Sequence, residues 1–327
     1  MSAVAEPSKI VADDRLAKRN TVVLAVAQAL SGGNNAVTVS TGGIVGAMLA
    51  PDRGMATLSI TMMVVGMWAG TLPMGWLAAN YGRRFALQSG TAVGILAGLI
   101  SCAAVIVGSF VLFCLGAFCG GLYAAGHQSY RFAAADTASE HFRPKAVSWV
   151  LAGGVFASVI GPQLIIYTQN LWQPYLFAAS YIGQAVFAAL AGCVLIFLKI
   201  PRPVARKHGS GGRPLAEIAR TPRFLIAVVC GVASYAMMNL VMTSAPLAMV
   251  DCGHSVTDAT LGLQWHMLAM FAPSFFTGSL IQRIGVNRIV LAGFSLMISS
   301  ALVSMAGITV AHFWAGQIGR ASCRERV

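Results

Sequence analysis

Acidic residues are scarce in this chain: ten aspartates and glutamates in 327 residues, with all charged residues together making up 10%. Soluble domains average about 25% charged residues. A soluble fold could not cover a composition that is 57% hydrophobic with so few charges, so the solvent must largely be lipid. The ten acidic residues fall in tails, loops or the edges of apolar runs, never in their middles. Catalytic signatures are also missing. HExxH, GxSxG and GxxxxGK[ST] do not occur, and no acidic or cysteine pair stands in the middle of an apolar run. An enzyme and an ATP-driven pump within this chain are therefore not supported, and no cofactor is expected. The seven cysteines show no CxxC or Cys/His ligand spacing, and Cys102, Cys114, Cys119, Cys193 and Cys230 lie inside apolar runs. They read as small buried hydrophobes, not as a metal site or a disulfide framework. Nor is there a short signal-peptide core, because the first apolar run is too long for one. The net charge of +12 does not point to nucleic acid, since the basic residues form short clusters between apolar runs, not one continuous face.

What the chain has in abundance is long apolar stretches. A helix needs about 20 apolar residues to cross a bilayer. Spans are expected at 22–49, 55–79, 86–108, 110–133, 146–168, 174–199, 223–250, 259–282 and 288–310, with a tenth beginning at Ala311. This is an all-α integral membrane protein with short connections, except for the Pro/Gly-rich stretch at 200–222. The organisation expected is a cytoplasmic tail at 1–20, a six-helix bundle at 21–199, a cytoplasmic linker at 200–222 and a partial second bundle at 223–317. Residues 318–327, "IGRASCRERV", match the translation of a common sequencing adapter, so a non-native tail that cuts the second bundle short is expected there. Before residue 318, eighteen of the nineteen lysines and arginines fall on one side if the N-terminus is cytoplasmic, and only Arg53 falls outside. By the positive-inside rule, this predicts a multi-pass protein with a cytoplasmic N-terminus.

One interruption between spans recurs. "GWLAANYGRR" places Gly75, Leu77 and Gly82 before Arg83 and Arg84. "GSLIQRIGVNR" repeats the spacing at Gly278, Leu280 and Gly285, in the corresponding loop of the second bundle. Gly75 is expected to allow close helix packing and Gly82 a sharp reversal. Parallel repeats of six helices are a transporter arrangement. With the basic linker and the Gly161-Pro162 step in "GGVFASVIGPQL", these residues resemble the major facilitator superfamily. The superfamily's turn motif carries an aspartate where this chain has Ala79, which puts the usual latch between halves in doubt. Longer stretches, such as "YAMMNLVMTSAPLAM" and "MFAPSFFTGSLIQRIGV", resemble the bacterial riboflavin transporters of that superfamily. The resemblance implies two six-helix bundles, a monomer in the bacterial inner membrane, and a cavity lined by the first, fourth, seventh and tenth helices.

Polar residues in those helices are the candidates for a substrate pathway. Span one carries Gln28, Asn34, Asn35 and Thr38. Asn34 and Thr38 share a helical face, and Asn35 points about 100° away. Adjacent asparagines in lipid need partners or water, so they serve either cargo or helix–helix contact. Span four offers His127 and Gln128, with His127 and Arg131 expected on one face. Span seven presents a stripe of Tyr235, Asn239 and Thr243 among methionines suited to a flat aromatic ligand. Span eight adds Gln264 and His266. With no carboxylate at mid-span, His127 and His266 are candidates to substitute in proton coupling, the missing helices could also carry a carboxylate, and facilitated diffusion stays open. The function expected is secondary transport of a small organic solute by alternating access, with riboflavin uptake as the specific case. Efflux of drugs or metabolites is the nearest alternative, and a transport-inactive membrane sensor is the alternative of another class.

Overall fold

The computed structural model describes residues 14–200, 215–272 and 283–321. Described residues are helical apart from short turns, and no strand occurs among them. The first bundle comprises α1 (Asp14–Leu49), α2 (Leu58–Tyr81), α3 (Arg83–Val107), α4 (Phe110–His127), α5 (Tyr130–Thr137), α6 (Arg143–Thr168) and α7 (Ala178–Leu195). After the short α8 (Leu215–Ala219) come α9 (Pro222–Asp251), α10 (Val256–Phe271), α11 (Val286–Ala306) and α12 (Val310–Ala321). Seven helices among the described residues are long and apolar enough to cross a membrane.

Two boundaries differ from expectation. Helix α1 starts eight residues before the predicted span, because Thr21 and Asn20 are buried against neighbours, not solvated. Asn20 donates to the Lys199 carbonyl at 2.8 Å, which ties the first turns of α1 to the segment that follows α7. The fourth span, predicted as one helix over 110–133, is broken at Gln128–Ser129. There the Ser129 hydroxyl donates to the Gly126 carbonyl at 2.7 Å, a local bond that competes with the helical ladder. The predicted loop motif at Gly278 and Leu280 lies outside the described residues, as do most of the linker and residues 322–327.

Helix α1 is the axle of the first bundle. It packs along α6 and α7, while α2 packs on α4, and α3 on α4 and α7. Glycine makes the α1–α6 approach possible: a Cβ on Gly161 would stand 2.7 Å from both the Gly33 carbonyl oxygen and the Ala36 methyl. Small residues let backbones meet in this way where lipid supplies no hydrophobic drive between helices. Trp68, Leu72, Val107, Val111 and Tyr167 are among the most exposed side chains, forming an apolar exterior suited to lipid. The helices alternate in direction, so Arg19, Arg83, Arg131, Arg143 and Lys199 gather at one end of the bundle, and Arg53 lies at the other. From the second half, α9 packs on α1 and α10 packs on α6, and the functional space lies between these pairs.

Candidate functional site

A cavity of about 510 Å³ lies between the halves, lined by α1, α2, α4, α5, α6, α9 and α10. Its two walls differ in chemistry. The first bundle supplies Gln28, Asn35, His127, Gln128, Arg131 and Ser158, whereas the second supplies Tyr235, Asn239, Met238, Met242, Met267, Met270 and Phe271. The first half therefore carries most of the hydrogen-bonding groups, beside Val39, Met63, Val150, Leu151 and Ala157, and the second adds thioether and aromatic surface to Tyr235 and Asn239. No aspartate or glutamate is among the lining residues. Ligand cavities of this size, with an apolar surface and a few placed polar groups, suit a small organic molecule. Methionine adapts to flat ligands because its side chain is unbranched and its sulfur is polarisable.

The polar wall is held from behind. Tyr123 and Tyr130 are fully buried, and both hydroxyls reach Ser31 of α1, at 2.6 and 3.1 Å. The His127 ring sits edge-on to both tyrosines, at 6.3 Å between centroids. His127 is only 5% exposed, and neither ring nitrogen has a hydrogen-bond partner in the protein. The Arg131 Nε is also buried without a partner, while its guanidinium stacks 4.9 Å from the Phe132 ring.

Helix α1 splits its polar residues between two faces. Asn34 is 1% exposed and donates to the Gln184 backbone carbonyl at 2.8 Å. The Gln184 side chain returns hydrogen bonds to the Asn34 side-chain oxygen at 3.3 Å and to Thr38 Oγ1 at 3.0 Å. Thr41 bonds Tyr181 one turn further on, at 2.8 Å. These contacts join α1 to α7, and the structure places Asn34 and Thr38 away from the cavity. Asn35 and Gln28 occupy the other face and do line it.

Opposite the basic end, the halves are closed upon each other. Gln163 of α6 donates to Gln264 of α10 at 3.0 Å, and Gln169 donates to Thr257 at 3.2 Å. Ile44, Val45, Phe113, Ile165 and Tyr181 form an apolar cluster there, onto which Val250 and Val256 of the second half pack. The cavity instead reaches from the middle of α1 and α9 toward Arg131. One entrance is shut by contacts between the halves, as alternation between two open ends requires.

The turn motif takes a definite form. Gly82 has φ 90° and ψ 155°, and Gly285 has φ 85° and ψ 155°, so both recurrences use the same left-handed backbone step to begin the next helix. Only glycine adopts this region at no steric cost. Gly75, expected to permit close packing, instead lies inside α2 with nothing within 4 Å of an added Cβ. The reversal needs just one left-handed residue, so Gly75 has no contact to make. Leu77 also lies in α2. Asn80 donates to its own helix at the Trp76 carbonyl, 2.9 Å away. Arg83 pairs with Asp136 of α5 at 2.5 Å, an ion pair within the first half that the sequence reading did not anticipate, while Arg84 opens α3 beside it. Helix α6 runs unbroken through Pro162.

Of the predicted pathway residues, the structure gathers Gln28, Asn35, His127, Gln128, Tyr235 and Asn239 around one cavity. Thr243 lies in a separate groove between α2 and α9, Gln264 joins the closed end, and His266 is buried with Nδ1 2.8 Å from the Gln317 carbonyl. Reading the sequence missed Gln184, an isolated amide in "YIGQAVF", and the lining residues Met63, Met267, Met270 and Phe271.

Comparisons with known proteins agree with this architecture. Residues 24–320 match the model of the Major Facilitator Superfamily. The chain is 46% identical over 310 residues to the riboflavin transporter RfnT of Brucella anthropi, covering 94% of this chain and 77% of that protein. It is 27% identical to the uncharacterized MFS-type transporter YdeG of Bacillus subtilis, over 93% of this chain and 74% of that one. Among solved structures, the nucleoside transporter NupG superposes with a TM-score of 0.66 at 12% identity, covering 95% of this chain and 80% of that chain. The xylose transporter XylE from E. coli, in a partially occluded inward-open conformation, also reaches 0.66, at 16% identity, covering 95% of this chain and 82% of that chain. A matched family model over most of the chain, a helical bundle with a central cavity and one sealed end, and transporter relatives across nearly its full length place this chain in the Major Facilitator Superfamily, as a secondary transporter of a small solute.

Proposed function

We propose that this protein imports riboflavin across the bacterial inner membrane by alternating access, as a monomer with its N-terminus in the cytoplasm. The observation that carries the reading is the 46% identity to a riboflavin transporter over 94% of the chain. The cavity supports it: a flat, polar-edged tricyclic ring needs broad adaptable apolar surface and a few hydrogen-bonding groups, and the lining supplies both. The gathering of Arg19, Arg83, Arg131, Arg143 and Lys199 at one end supports a cytoplasmic placement of that end. The cavity then reaches toward the cytoplasm and the closed end faces outward, the state that follows release of cargo inside.

The test is uptake of radiolabelled riboflavin by a riboflavin-auxotrophic bacterium expressing this gene. Growth on micromolar riboflavin, with time-dependent accumulation of label, is the expected outcome. Absence of uptake together with restored resistance to a toxic compound would replace import with efflux.

A further inference from the structure

We propose that Gly154 of α6 is a positioning residue for the closed end: its missing side chain leaves the notch that lets α10 stand close enough to α6 for the seal between the halves to form. This needs only the transporter assignment, whatever the cargo.

Thr257, Gln264 and Phe271 follow one another at seven-residue intervals, which sets them on one face of α10. The first two make the hydrogen bonds to Gln169 and Gln163 that join the halves at the closed end. The third, about 10 Å further along the helix, meets Gly154. A Cβ on Gly154 would stand 2.6, 2.7 and 2.9 Å from three carbons of the Phe271 ring, so the ring already fills the space a side chain would take. Helix α6 cannot back away to make room. The neighbouring Gly153 is pressed by the Ala25 carbonyl of α1, which leaves no space for a Cβ there either. Two adjacent glycines thus serve two contacts, one inside the first half and one between the halves.

The hydrogen bonds of the seal have little slack to absorb a displaced helix. They measure 3.0 and 3.2 Å, the second already at the end of the range in which such bonds hold. Relieving a 2.6 Å contact takes about 1 Å, because carbon atoms rest about 3.5–4.0 Å apart. A side chain at position 154 therefore moves α10 by more than these bonds tolerate, and the closed end loosens. Gly154 and Phe271 also line the cavity, so the spacing of the seal is set in the cavity wall itself.

Spin labels on the two halves test this in the purified full chain in lipid nanodiscs. Leu171, exposed just after α6, is changed to cysteine and paired with the native Cys252, exposed at the end of α9, with the other cysteines replaced by alanine. Pulsed electron paramagnetic resonance then reads the distance across the closed end. The expected result is a short distance in the unaltered chain and, in Gly154→Val, a population shift of about tenfold toward a longer one. Gly154→Ala should shift it the same way by a smaller factor, about threefold. Phe271→Ala removes the ring that the new side chain strikes, so adding it to Gly154→Val should bring the short distance back. An unchanged distance in Gly154→Val would overturn the proposal, the ring then having swung aside into the cavity. So would a double variant as open as the single one, since a general loss of packing is not repaired by a second truncation. Where Gly154→Val fails to fold, Gly154→Ala with and without Phe271→Ala decides by the same two criteria.

Discussion

The first helices of the two halves, α1 and α9, invest their polar residues differently. In α1, one face is spent: Asn34, Thr38 and Thr41 are engaged by Gln184 and Tyr181 of α7. The face carrying Gln28 and Asn35 is left toward the cavity. Asn239 donates back to the Tyr235 carbonyl of its own helix at 3.3 Å, and the Tyr235 hydroxyl reaches Met67 of α2 at 3.9 Å. The first half thus uses polar groups as structural fasteners and as cargo contacts on the same helix, separated by about 100° of rotation. The second half presents a wall whose character comes from thioethers. A mid-membrane amide carries no fixed meaning: what lies opposite it decides whether it serves the fold or the ligand.

Substitutions can break this division. The largest effect is expected from Asn34→Leu, which strands the Gln184 carbonyl and side chain in the core. Stability should fall by about 1–3 kcal/mol, read as a lower thermal midpoint in detergent, while flavin affinity of the folded protein changes less than about twofold. Asn35→Leu should do the reverse, lowering uptake by about tenfold with little change in the midpoint. If Asn34→Leu spared stability and abolished uptake, the two faces of α1 would have to be exchanged. Least of all is expected from Met242→Leu, a swap of similar volume on the thioether wall: under about 1.5 kcal/mol in stability and under about threefold in uptake.

The sequence disclosed much of this architecture before any coordinates. Span positions, the gathering of basic residues and the recurrence that ends in Gly82 and Gly285 all follow from apolar length, charge and spacing. Which face of a helix meets which neighbour did not follow. Asn34 and Asn35 are adjacent and chemically identical, and their separate fates depend on Gln184, 150 residues away. The break at Gln128–Ser129 was hidden for a similar reason, since apolar periodicity continues on both sides of it. The partner for Arg83 escaped because Asp136 looked like a loop residue until α5 gave it a place.

The closed end has a consequence for conditions of operation. Among the described residues, its joining contacts between halves are amide to amide, amide to hydroxyl, and hydrocarbon, with no formal charge among them. The ion pair between Arg83 and Asp136 lies wholly within the first half and does not bridge the two. Screening by dissolved salt acts on charges and leaves neutral contacts almost untouched. The contacts described at that end are therefore of the kind that a change in ionic strength leaves almost untouched.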